Sequence, residues 1–263
     1  MTEFAVAGIG LWTPGLPDWP AARAVLTGAA AWPEAAGGRP TPSLMPANER
    51  RRAPDSVLMA LAVAEQACAA AGADPATVAS VFASVFGDLA INDYMCATLR
   101  DDPAQMSPTK FHNSVHNAPS GYWSIATGAM AAATSLAAGR ETFAAALHEA
   151  VVQLADSGEP VLLVAYDAIG CGPVGAIAGC RASFACALVL TPDTAGAQGS
   201  RLRAAAATTG AAGAVPDALA ALAADNPIAA GAAPLLALLA GQATGAARLP
   251  LSPALDLVLD RLP

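Results

Sequence analysis

The chain has 263 residues, 55% of them hydrophobic and only 13% charged, a balance that buries enough apolar surface to offset chain ordering and excludes disorder. Its formal charge of −8, from 13 Lys and Arg against 21 Asp and Glu, leaves no cationic field for a phosphate backbone and excludes a nucleic-acid partner. No apolar run reaches the roughly 18 to 20 unbroken residues of a membrane span, and no basic region precedes the first apolar run, so no span and no signal peptide are expected and the cytoplasm is the expected location.

Phe4 to Leu11 reads as a first strand that ends at a turn at Trp12, Pro14 and Gly15. Residues 13 to 54 are rich in Pro, Gly and Ala and read as an irregular surface excursion with one helical piece at Ala21 to Thr27. The only basic run, Glu49 to Arg52, reads as a solvated loop before a helix. From Asp55 a helix begins, capped by Asp55 or Ser56, and stops at Gly72. Val57, Leu58, Leu61, Ala62, Glu65 and Cys68 recur along it at helical spacing. Ala79 to Phe86 is a β-branched and aromatic run that reads as a central strand, and a second helical piece follows at Ile91 to Leu99.

Ser107 to Asp167 carries all three histidines and most of the chemistry. Ser135 to Ala138 is a short apolar strand, Gly139 a turn residue and Glu141 to Asp156 a helix with Phe143, Leu147, Val151 and Leu154 on one face. A strand turning sharply into a helix presents free N–H groups at the helix N-terminus; a nucleophile elbow holds Ser or Cys there, and this chain holds Arg140. A second apolar strand closes the segment at Asp167. Phe184 to Leu190 and Arg201 to Thr208 add two more strands. Val215 to Leu239 is helical with a break at Asn226 and Pro227, and Leu255 to Leu259 is a short final strand. Strands alternating with helices predict a layered α/β sheet with helices on its faces.

The order SPTKFHNSVHNAPSGYWSIATG, a helix-opening turn, a long Ala-rich helix and VLLVAYD resembles the N-terminal half of a β-ketoacyl synthase, of the thiolase-like family, over residues 4 to 210. It is most similar to the short chain-length factors of aryl-polyene and xanthomonadin pigment clusters. The resemblance implies a thiolase-like mixed sheet, helices on both faces, and a truncated second half. Residues 1–210 form the ketosynthase-like domain, and a helical segment with a terminal strand, 211–263, completes it.

Aligned on Ser135 to Ala138, the resemblance puts Arg140, with Gly139 as the neighbouring possibility, where a ketosynthase holds its acyl-accepting cysteine. Arginine is permanently charged and a poor nucleophile. The histidines that the family draws from its C-terminal half have no counterpart, because His112, His116 and His148 all precede residue 150. The implied role is a non-catalytic subunit of polyketide or fatty-acid-like synthesis that pairs with a full-length ketosynthase, with acyl carrier protein docking on that partner. His112, Asn113, His116, Asn117, Pro119, Tyr122, Trp123 and Phe143 are its interface or tunnel residues, alongside Ile125. No cofactor and no metal are implied.

Several rival readings of the same residues stay open. His112 and His116, four apart, would share a helix face as metal ligands, but the sequence between them breaks helix. The polar run around Asn113 to Gly121 would also serve as a loop satisfying its own backbone. A stand-alone acyltransferase would use Ser135, Thr142, Cys171 or Cys180 as nucleophile, the last two from a flexible glycine-rich loop. An acyl-binding homodimer is a third class. The five cysteines, odd in number and without CxxC spacing, are expected as reduced thiols, with Cys68 and Cys186 in the core.

Overall fold

The computed structural model describes residues 1–34, 37–193, 199–211, 215–241 and 245–263. The strands are β1 (Thr2–Trp12), β2 (Ala79–Ala83), β3 (Ala133–Leu136), β4 (Val161–Asp167), β5 (Phe184–Pro192), β6 (Ser200–Thr208), β7 (Ala246–Pro250) and β8 (Leu255–Arg261). They form one mixed sheet in the order β3-β2-β4-β5-β1-β6-β8-β7. β2, β3 and β4 run parallel, whereas β5, β1, β6, β8 and β7 pair antiparallel in succession.

Helices cover both faces, and the strand sequences show why. β5 is an almost continuous apolar run because alternate residues enter different cores. Phe184, Cys186, Leu188 and Leu190 face the core containing α7 (Thr142–Ser157) and α10 (Pro227–Ala240), while Ala185, Ala187 and Val189 face α3 (Asp55–Ala71) and α6 (Ala118–Thr127). α3 lies directly on β1, and two glycines permit it. A Cβ on Gly8 would stand 2.1 Å from Ala67 O, and one on Gly10 2.0 Å from Val63 O. α10 is apolar all round because it is buried all round, packed on α9 (Asp217–Asp225), α7 and β7.

Several expectations need correction. Residues 13 to 54 hold two helices, α1 (Trp19–Leu26) and α2 (Ala47–Arg52), so the basic run is helical; residues 35–36 of that stretch lie outside those described. Neither Asp55 nor Ser56 caps α3: Pro54 holds the cap position, and the Ser56 hydroxyl donates instead to Asp88 Oδ2 at 2.6 Å. The short apolar strand expected at Ser135 to Ala138 is β3, Ala133–Leu136, a half-exposed edge strand. The glycine-rich loop after β4 is no loop throughout; it winds into α8 (Gly172–Ala178), entered at Gly172 with φ of 64°. The strand β7 was not anticipated, since its sequence AARLP carries a proline and little β-branching.

Candidate functional site

The corner between β3 and α7 is tied by one hydroxyl. Thr142, wholly buried, donates from Oγ1 to Gly139 O at 2.7 Å and accepts from the Ala138 N–H at 2.9 Å. Gly139 takes the left-handed turn, with φ of 59°, a conformation that disfavours side-chain-bearing residues. Arg140 follows it, exposed and in no ion pair among the described residues. Neither Gly139 nor Arg140 offers an attacking atom. The Thr142 hydroxyl is buried and already spends its proton on Gly139.

No imidazole is hydrogen-bonded to the other candidate nucleophiles. Ser135 Oγ lies 3.2 Å from Ser120 Oγ, itself bonded to Asn117 O. Cys180 is buried, and desolvation with the charge of Asp167 pushes its thiol up to about 12. Exposed Cys171 is also raised, by desolvation and then by Asp93, whose Oδ2 is 3.9 Å from the sulfur. His116 directs Nε2 at Ser84 O, 2.9 Å away, and at none of these groups. These thiols stay protonated and unactivated.

Beside the corner, β3 leaves one edge of the sheet open. Its register with β2, and the bonds from Ser80 N–H to Ala132 O and Ser84 N–H to Leu136 O, turn alternate peptide groups inward. The backbone groups of Ala133 and Ser135 therefore face outward, where a second strand would pair with them. Large apolar side chains are exposed on α6 and just after it, Ile125 at 84% and Met130 at 96%.

The predicted interface and tunnel residues separate into distinct places. His112, Asn117, Tyr122 and Ile125 line an apolar pocket of about 460 Å³ between α6 and the segment Leu44 to Glu49. Pro119 and Trp123 are buried beneath it, with the Trp123 indole N–H lacking a partner in the protein. His116 buttresses the loop after β2 instead. Asn113 faces a different cleft. Phe143 sits on the opposite face of the sheet under α10, where a Cβ on Gly231 would come within 2.9 Å of the Phe143 Cβ, and it lines neither of these two pockets. His112 ends α5 (Pro108–His112) and His116 lies beyond it, so the two share no helix face. No group of three or more His, Cys, Asp or Glu among the described residues is arranged to hold a metal ion.

Sequence reading missed Asp167. It ends the wholly apolar β4 with its side chain 1% exposed, and an acidic residue closing such a run was the available signal. Oδ1 accepts from Ser84 Oγ at 2.6 Å, Val85 N–H at 3.1 Å and Phe86 N–H at 3.4 Å, whereas Oδ2 has no partner. Burial raises its pKa to about 7 against the opposing pull of those donors. Its backbone carbonyl accepts from Asn226 Nδ2, whose Oδ1 caps α10 through Ala229 N–H. That link joins the C-terminal ends of the parallel strands to the last helix.

A mixed sheet of this order, clad by helices on both faces with a strand-to-helix corner at the end of its edge strand, is the thiolase-like fold. Residues 24–231 match the family model described as the beta-ketoacyl synthase, N-terminal domain. The chain belongs to that family. No curated protein is significantly similar in sequence. Among solved structures it is similar to a chain of the ketosynthase ApeO in complex with its chain length factor ApeC from Xenorhabdus doucetiae, at 19% identity and a TM-score of 0.71, covering 99% of this chain and 100% of that one. It is similar at 13% identity and 0.69 to the ishigamide ketosynthase/chain length factor, over 100% of both chains. At 12% identity and 0.72, over 99% of each chain, it is similar to a chain of the complex of a type II polyketide synthase acyl-carrier protein with its ketosynthase bound to the hexaketide. Identities of this size speak for the fold. No helix among the described residues is long and apolar enough to cross a membrane.

Proposed function

We propose that this chain is a non-catalytic ketosynthase-like subunit, a chain-length factor, that pairs with a full-length ketosynthase through the open edge of β3 and helps bound the space into which the acyl chain grows. The observation that carries the reading is the corner at Gly139 and Arg140, which has no nucleophile yet lies beside an unpaired strand edge and exposed apolar side chains. Strand pairing at that edge satisfies the outward groups of Ala133 and Ser135 and covers the apolar surface of α6. The chemistry then belongs to the partner, and acyl carrier protein docks mainly there. In this reading residues 1–210 are the ketosynthase-like domain, 211–263 complete it, and the complex works in the cytoplasm on an aryl-polyene or related polyketide or fatty-acid-like chain.

Arg140 is the residue of this chain closest in sequence to the family's cysteine position, and its cation opposes the dipole of α7 by some tenths of a kcal/mol. A carboxylate from the partner offsets that cost on assembly. Intact mass after incubation with a medium-chain acyl thioester tests the non-catalytic part: the account expects no adduct, and a stable adduct mapped to Ser135, Cys171 or Cys180 favours the stand-alone acyltransferase and contradicts it. Purification from cells as a homodimer with a bound acyl ligand contradicts the pairing.

A further inference from the structure

A second cleft, of about 510 Å³, opens on the α3 side between the C-terminus of α2, α5, the N-terminus of α4 (Leu89–Asp101) and the strand-to-α8 turn. Its apolar lining comes from Ala90, Ile91, Ala168 and Ile169, of which Ile91 and Ala168 are buried. Its rim gathers Arg39, Arg52 and the single lysine of the chain, Lys110, in a protein that is otherwise acidic.

The polar groups divide sharply by whether they are already engaged. Arg39 is tied to the Asp55 carboxylate and to Ala53 O. Asp88 accepts from Ser56 Oγ at 2.6 Å and Ile91 N–H at 2.8 Å. The carboxylates are thus engaged within the protein, Asp88 through both oxygens and Asp55 through Oδ1, and so is Arg39. Arg52 and Lys110 are not. Exposed Arg52 has no ion pair or side-chain hydrogen bond among the described residues, and the Lys110 ammonium rests over the Tyr94 ring at 3.8 Å with its N–H groups unspent. Asn113, only 4% exposed, also lines the cleft, and its side-chain carboxamide has no partner among the described residues: Oδ1 is buried and unbonded, and Nδ2 makes no hydrogen bond. A buried carboxamide left unpaired costs about 1–3 kcal/mol, so a residue held this way beside two free cations marks a place for a ligand atom.

We infer that this cleft binds a small organic anion, a phosphate or carboxylate with a short apolar body and a neighbouring hydroxyl or amide. Arg52 and Lys110 hold the anionic group through charge-assisted hydrogen bonds, Asn113 pairs with the neighbouring polar group, and Ala90, Ile91 and Ile169 contact the apolar part. The site is separate from the pocket on α6 and does not depend on the subunit role.

Calorimetric titration of the purified chain with glycerol 3-phosphate, with 4-hydroxybutyrate and with neutral glycerol tests this. At least one anion should bind, the tighter one naming the headgroup, and glycerol should not. R52E/K110E, changing two exposed side chains, should weaken that binding about tenfold or more. Asn113→Leu should weaken it while the thermal transition is retained or raised. Absence of heat with both anions, or anion binding unchanged in R52E/K110E, overturns the inference.

Discussion

Ser84 donates its hydroxyl to Asp167 Oδ1 across 2.6 Å at the end of two parallel strands, yet the second oxygen of that carboxyl is left without a partner. The arrangement suits a neutral acid better than a buried anion. Because burial raises the folded pKa from 3.8 to about 7, the native state holds a proton that the unfolded chain has released over that window. Stability from this group is complete below about pH 4 and is lost as pH rises through about 7, with a ceiling of about 4 kcal/mol. Urea unfolding at pH 5 and pH 8 should show the loss, and Asp167→Asn should remove most of it. A pH slope that is the same in D167N contradicts the assignment.

The Thr142 hydroxyl donates to Gly139 O and accepts from the Ala138 N–H, so it sets the corner independently of any catalytic role. Thr142→Ala removes the acceptor of the Ala138 N–H and one of the two donors to Gly139 O, together with a buried methyl, and should cost about 2 kcal/mol in denaturant unfolding. Thr142→Ser keeps both bonds and gives up one buried methyl, for about 1 kcal/mol. Equal losses in the two variants would mean that packing, not the hydroxyl, holds the corner.

Under the proposed subunit role, the pocket on α6 is the place to test control of chain length. A Cβ on Gly121 meets nothing within 4 Å, and the residue lines the pocket, so a larger side chain fits there without strain. Gly121→Ala should stabilise α6 by up to about 1 kcal/mol. Gly121→Leu fills part of the 460 Å³ and should shift the products of the reconstituted complex toward shorter chains, read by mass spectrometry. Unchanged product length with the complex intact would remove this pocket from the acyl path.

Much of this architecture is legible in the sequence where one local signal decides it. Gly72 stops α3 by taking a left-handed φ of 63°, and Asn226 followed by Pro227 separates α9 from α10, as their chemistry dictates. The apolar run of β5 requires both faces to be covered, which the two cores bear out. What sequence does not carry is which neighbour an element meets. β3 looks apolar yet is an edge, because strand order is a long-range property. Trp123 and Phe143 both read as apolar seam residues, but they lie on opposite faces of the sheet, since each follows the side on which its own helix packs. The free donors beside Asn113 come from α2 and α5 and the apolar contacts from α4 and the turn after β4, and no window of sequence unites them.

The open edge of β3 admits the most direct test. Ser135 turns its backbone outward, and proline is tolerated on an edge strand while removing the N–H that a partner strand needs. The chain should be co-expressed with a full-length ketosynthase of the same organism, and the wild type and Ser135→Pro compared by native mass spectrometry. The account predicts a one-to-one heterodimer for the wild type and a folded, unpaired chain for S135P. A wild-type chain that stays alone at micromolar concentration, or an S135P chain that pairs as well as the wild type, would contradict it.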